Sequence, residues 1–197
     1  MTNNPSPQSL CGGAQSKTYM KKAGKRPTRI SLSTQLSDKN YSIGKNLKKS
    51  HVSELAHRVN SSPGGLTLVL TSHDVAVEDF CMSNCGSHGH KANSVFIWVG
   101  NSGPGGDGMV VNIASLLAGS VTNPFGSGYY MGSAEARLEA ASACPGVYGK
   151  GAYPGYAGVL PLDTSSGASY NAIGLNGRKY LLPALFDPNT SQCSTIE

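Results

Sequence analysis

Charge is scarce in this chain: Asp, Glu, Lys and Arg make up 14% of 197 residues, and aromatic side chains 7%. With 25 Gly and 11 Pro beside so few charges, the composition points to one loop-rich domain rather than a helical bundle. A chain of this length buries roughly 70% of the surface its unfolded form exposes, so a substantial core is expected. Long apolar runs are missing too. No stretch reaches the roughly 20 residues of a transmembrane helix, so no membrane span is expected. The opening "MTNNPSPQSLCGGAQSKTYMKK" holds no apolar run of the roughly 7 to 15 residues that a secretory signal needs, so the polypeptide read literally starts and stays in the cytosol. Neither a G-x-S-x-G elbow, a P-loop nor a G-x-G-x-x-G between strand and helix occurs, and no cofactor is expected.

The charges present are unevenly placed. Residues 1 to 50 carry ten Lys or Arg against one acid, and the rest carry six against ten. The basic head is read as a solvated, disordered leader over 1–29 rather than a nucleic-acid arm, because only Tyr19 interrupts its lysines and no stacking platform exists. Sequons at Asn40, Asn60 and Asn189 point the other way from a cytosolic protein, as acceptors for glycosylation after export.

Periodicity predicts an amphipathic helix within "SIGKNLKKSHVSELAHRV", with Ser50 as cap before Glu54 and with His51 and His57 on its wet side. Buried strands are predicted at "LTLVLTS" (66–72) and "SVFIWVG" (94–100). "DGMVVNIASLLAGSVTNP" (107–124) predicts a helix capped by Asp107, closed at Asn123-Pro124 and apolar all round, hence a buried central helix at 108–120. A further helix is expected in "SAEARLEAASA", then a turn-rich "CPGVYGKGAYPGYAG", then a strand or short helix in "GRKYLLPALFDP" with Pro183 at an edge. The fold class is α/β, a mixed sheet with flanking helices.

Chemistry-bearing residues concentrate in "DFCMSNCGSHGH", which places Cys81, Cys85, His88 and His90 within ten positions. The spacing is cramped for zinc, whose ligand pairs usually stand a dozen or more residues apart, and the two histidines are expected on opposite sides of any strand. Ser72, His73 and Asp74 stand in a row and read as a strand end and turn rather than a triad. Glu135 and Glu139, one helical turn apart, read as a solvated face. Tyr129, Tyr130, Tyr148, Tyr153 and Tyr156, flanked by Gly, either pack a loop layer or form a shallow aromatic surface that stacks on sugar rings.

The blocks "LTSHDVAVEDFC", "CGSHG", "IWVGNS", "DGMVVNIASLLAGSVTNPFGSGYY", "EAASACPGVYGKGAYPGYAG" and "NGRKYLLPALFDP" closely resemble the plant EXORDIUM family, also called phosphate-induced proteins, from about Ile30 to Glu197. The resemblance implies an extracellular, cell-wall-associated protein of growth and cell expansion whose biochemical activity is unassigned. It also implies a shortened chain, since family members usually begin with a signal peptide and an N-terminal part of the domain, and carry a cysteine-containing segment where this chain has only "GPGG". A missing strand would leave an open sheet edge and a chain of doubtful stability.

Some relatives carry a His-Glu-x-x-Glu pattern on the helix matching 107–124 and so look like zinc metallopeptidases. The matching positions here are Ser115, Leu116 and Gly119, which offer neither metal ligand nor base. The expectation is a metallopeptidase-like scaffold without catalysis, acting by binding wall polysaccharide or an extracellular receptor. The alternative is a metal-dependent hydrolase using His88 and His90. Disulfides are expected among Cys81, Cys85, Cys144 and Cys193, with Cys11 outside the resemblance. Four cysteines allow three pairings; Cys144 with Cys193 would close a long loop and Cys81 with Cys85 a short one, and alternatively Cys81 or Cys85 pairs with a cysteine of the missing segment.

Overall fold

A computed structural model of the chain describes residues 32–59, 64–82, 85–101, 103 and 107–195. The leader at 1–29, Cys11 and Asn60 lie outside the described residues. The chain divides into two compact units, one covering Thr34–Gly128 and the other taking in Tyr129–Glu197.

In the Thr34–Gly128 unit, β1 (Asn46–Leu47) leads into helix α1 (Lys49–Arg58). The helix begins one residue before the expected cap: His51, half-exposed, folds back so that its Nδ1 accepts the Lys48 N–H at 3.2 Å, and His57 is exposed as expected. Val52 and Ala56 point into the core, and Arg58 closes an i,i+4 ion pair with Glu54 at 2.7 Å. The β-branched and apolar runs form β2 (Leu66–Thr71) and β5 (Ser94–Gly100), paired in parallel, with β3 (Ala76–Val77) parallel to β1. β4 (Gly86–Lys91) joins the far side of β5 antiparallel, giving the order β2-β5-β4. The sheet is mixed, as expected.

Helix α2 (Asp107–Thr122) stops where the Asn123-Pro124 step predicts, and it packs on β4 and β5. It is not buried all round. Among its described side chains only Ala118, Gly119, Ser120 and Thr122 are buried, while Val110 and Val121 lie at the surface. Among the described residues of this unit, two helices, a three-stranded sheet and the short β1–β3 pairing do not supply enough layers to enclose it.

A second departure follows from the same shortage of cover. Strand side chains alternate, so Thr67, Val69 and Thr71 face inward and Leu66, Leu68 and Leu70 face out, at 37%, 42% and 52% exposure. The run read as a buried strand is buried on one face. Since β2 pairs only on its β5 side among the described residues, a row of leucines adjoins an open strand edge. The full chain is expected to associate with rising concentration, and Leu68→Lys to shift that association at least severalfold upward in concentration, as read by analytical ultracentrifugation. An unchanged profile for Leu68→Lys would rule this face out as the cause.

The Tyr129–Glu197 unit is built from short pairings. β6 (Tyr130–Met131) runs antiparallel to β7 (Leu138–Glu139), β8 (Ala172–Ile173) to β9 (Lys179–Tyr180), and β10 (Leu185–Asp187) to β11 (Gln192–Ser194). The helix expected in "SAEARLEAASA" does not form. A turn with Ala136 N–H on the Ser133 carbonyl enters β7, and Ala140, Ala143 and Cys144 then pack with Ala184 and Phe186 as the core. Alanine's helical preference, a few tenths of a kcal/mol per residue, is overridden by that packing. Pro183 falls between β9 and β10, in neither strand. Cys144 and Cys193 are joined by a disulfide, with Cα atoms 5.9 Å apart.

Candidate functional site

A solvent-presented pair of tyrosines sits at the tip of a ribbon in the Tyr129–Glu197 unit. Its stem is formed where the Tyr148 and Gly149 N–H groups donate to the Ala157 carbonyl and the Val159 N–H to Lys150. The two stem segments approach so closely that a Cβ at Gly149 or Gly158 would lie 2.2 Å from a backbone oxygen of the other, so neither site admits a side chain. At the tip, Tyr153-Pro154-Gly155-Tyr156 makes a type II turn: proline fits the first central position, and Gly155 takes the required positive φ of 91°. Tyr156 N–H donates to the Tyr153 carbonyl at 2.8 Å and Tyr153 N–H to that of Tyr156 at 3.0 Å. Both rings therefore leave the same tight loop, with centroids 5.1 Å apart and planes tilted by 41°, at 63% and 41% exposure. Asn171 anchors the stem as a peptide would, donating from Nδ2 to the Tyr148 and Leu182 carbonyls and accepting the Leu182 N–H on Oδ1.

The five tyrosines named from the sequence thus separate. Tyr153 and Tyr156 form the exposed pair. Tyr129 packs on the alanine core, Tyr130 lies under the Arg137 guanidinium at 4.4 Å, and Tyr148 is half-buried at the stem. The signal that singles out the pair is the Pro-Gly step between two tyrosines, a hairpin cue inside what otherwise reads as irregular chain.

The Cys/His stretch is differently arranged from the expectation. Residues two apart on a strand share a face, so His88 and His90, paired with Ile97 and Val95, lie on one side of β4, not on opposite sides. The His90 ring meets Phe125 edge to face at 5.2 Å. Cys81 and Cys85 are free thiols with sulfurs 3.5 Å apart; no bond joins them, which corrects the expectation of a short-loop disulfide. Cys81 holds a positive φ of 59°, and its thiol pKa is raised by the Cys85 sulfur beside it. Among the described residues no three His, Cys, Asp or Glu side chains come together as metal ligands.

Ser115 and Leu116 are half-buried and Gly119 buried on α2, and Leu116 Cδ1 would lie 2.7 Å from a Cβ on Gly86 of β4, so this face of the helix serves packing. Ser72 Oγ donates to Asp74 at 2.5 Å within a turn, and Asp74, also held by Lys45 and Tyr41, has its pKa lowered chiefly by the Lys45 ammonium. Glu135 and Glu139 are not one helical turn apart, because no helix is there; the Ser133 hydroxyl lowers the Glu135 pKa. Asn40 and Asn189 are exposed. No helix among the described residues is long and apolar enough to cross a membrane.

The family model for the phosphate-induced protein 1 conserved region matches residues 2–104 and 102–196. The chain belongs to the EXORDIUM and phosphate-induced protein family. Among curated members, Protein PHOSPHATE-INDUCED 1 of Nicotiana tabacum is 47% identical over 91% of this chain and 69% of its own length. Protein EXORDIUM of Arabidopsis thaliana is 50% identical over 86% and 65%, and Protein EXORDIUM-like 1 from the same plant is 47% identical over 90% and 69%. This member thus spans about two thirds of the length of the curated relatives it matches. Its alignment with the tobacco protein runs through 218 positions, more than the 197 residues present here. No solved structure matches the chain.

Proposed function

We propose that this protein is an extracellular, cell-wall-associated member of the growth and cell-expansion family, that it acts without catalysis, and that it binds wall polysaccharide through the Tyr153–Tyr156 hairpin. The observation that carries the reading is the pair of exposed rings fixed at the ends of one type II turn. Tyrosine offers an apolar ring face to the C–H side of a sugar and a hydroxyl to its rim. A turn whose two central residues are proline and glycine places the rings before ligand arrives, which lowers the ordering cost of binding. The exposed sequon residues Asn40 and Asn189 agree with export.

Retention on insoluble wall polysaccharide tests the reading. The parent chain, made in a secretory host, is expected to be retained, and Tyr153→Ala/Tyr156→Ala to bind about tenfold more weakly, roughly 1.4 kcal/mol. Equal retention of the double variant would reject the hairpin as the binding surface. Product release from polysaccharide or peptide substrates that is lost in His88→Ala would reject the non-catalytic part and favour the hydrolase alternative.

A further inference from the structure

Below the tyrosine hairpin in sequence, the same unit holds an open pocket of about 440 Å³ lined by Asp163, Ser165, Ser166, Ser169, Tyr170 and Arg178, with Lys179 at its wall. One side is the loop Asp163–Tyr170, closed by the Gly167 N–H on the Asp163 carbonyl at 2.7 Å and by the Asp163 N–H on the Ala168 carbonyl. The other is the turn between β8 and β9, where Asn176 and Gly177 both take positive φ, 57° and 72°, and present Arg178 and Lys179 in succession. Lys179 ties the sides together: its Nζ donates to Asp163 Oδ1 at 2.7 Å and lies 4.8 Å from the Tyr170 ring centre.

The charges decide what the pocket can take. Asp163 is already satisfied by Lys179, the Ser165 N–H and the Ser165 and Ser166 hydroxyls, so its carboxylate offers little to a ligand. Arg178 is different. It has no ion pair among the described residues, and it lines the same pocket as three serines and Tyr170, so among those residues its guanidinium is open to an anionic group. A planar guanidinium fork fits a carboxylate with two parallel hydrogen bonds, and clustered hydroxyls suit a polyhydroxylated ring.

We infer that this pocket binds an acidic carbohydrate, a uronate unit whose carboxylate is held by Arg178 and whose hydroxyls meet Ser165, Ser166 and Ser169. The inference rests on the glycan-binding reading above and narrows its ligand class, with the tyrosine hairpin as a charge-indifferent second contact.

The test compares a labelled oligogalacturonate with a neutral cello-oligosaccharide of equal length, titrated into the full chain, Arg178→Gln, Arg178→Lys and Tyr153→Ala/Tyr156→Ala. Arg178→Gln is expected to lose at least tenfold in affinity for the acidic chain and nothing for the neutral one; Arg178→Lys is expected to recover part of the loss, and added salt to weaken only acidic binding. An Arg178→Gln protein that binds oligogalacturonate like the parent overturns this inference, and the glycan reading survives if the tyrosine variant still loses the neutral ligand. Binding of neither oligosaccharide overturns both. Displacement of oligogalacturonate by inorganic phosphate at equal concentration overturns the sugar assignment and leaves only an anion site.

Discussion

Cys144→Ser or Cys193→Ser is expected to destabilise the Tyr129–Glu197 unit by about 4 kcal/mol, the loop-closure value for a disulfide across a sequence separation of 49. Few other interactions there are of comparable size. Its named strands are two or three residues long, and beside the buried Leu182 and Leu185 its main buried cluster is built around Ala140, Ala143 and Ala184, which bury little area each. Phe186 is the one large side chain buried in that cluster among the described residues, and it packs beside Cys144 and against the half-buried Cys193. Small, alanine-rich cores of this kind are stabilised by covalent staples. The amide protons of Ala140, Ala184 and Phe186, which donate to the Tyr129, Val147 and Ala140 carbonyls, are direct reporters. Their hydrogen exchange should accelerate by roughly a thousandfold in either serine variant, 4 kcal/mol at about 1.4 per decade. Exchange within tenfold of the parent would show that the alanine core and turns hold the unit without the bond.

The sequence was most legible where one local signal met no competitor. β5 is a run of β-branched and aromatic residues, and it lies at the centre of its sheet, where such a run belongs. The end of α2 follows from Asn123 and Pro124: proline disfavours the helical conformation at Asn123 before it, and Asn123 Oδ1 accepts the Gly128 N–H at 2.6 Å to turn the chain away. Failure came where placement depended on distant residues. Nothing local in "LTLVLTS" reveals that only one face of β2 would be covered, because that depends on how many layers the rest of the chain supplies. The helix read into "SAEARLEAASA" had sound propensity, yet Cys144 at its end is tied to Cys193 forty-nine residues on, and the alanines are used as core.

The candidate site shows the same division. The Tyr153–Tyr156 turn is written locally in Pro154 and Gly155, whereas the pocket joins residues 163–170 to 177–179 through an Asp163–Lys179 pair that has no sequence signature. Among the residues that the sequence did flag, Cys81, Cys85, His88 and His90 share a short segment but no common centre. Proximity along the chain is a poor guide once a strand fixes where each side chain points.

Trp98→Ala is expected to cost the Thr34–Gly128 unit about 3 to 5 kcal/mol, the range for truncating a fully buried tryptophan. Trp98 is 2% exposed and is the meeting point of that unit's elements: it packs with Leu47 of β1, Val52 of α1 and Val77 of β3. Phe80 meets it edge to face, ring centres 5.8 Å apart. Removing the indole therefore opens a cavity bordered by four separate segments, none of which can collapse into it without losing its own contacts. The polar end matters separately. Nε1 donates to Thr71 Oγ1 at 3.2 Å inside the core, so Trp98→Phe keeps most of the apolar area but strands a buried hydroxyl, at about 1 to 2 kcal/mol. Adding Thr71→Val to the Trp98→Phe variant should recover part of that loss, because no polar atom is then left unpaired. Urea unfolding followed by far-ultraviolet circular dichroism distinguishes the cases. An alanine variant losing under about 1 kcal/mol, below the range for a buried aromatic, would mean that the contacts around Trp98 do not organise this unit. A Trp98→Phe variant as costly as Trp98→Ala would place the stabilisation in the hydrogen bond rather than in packing.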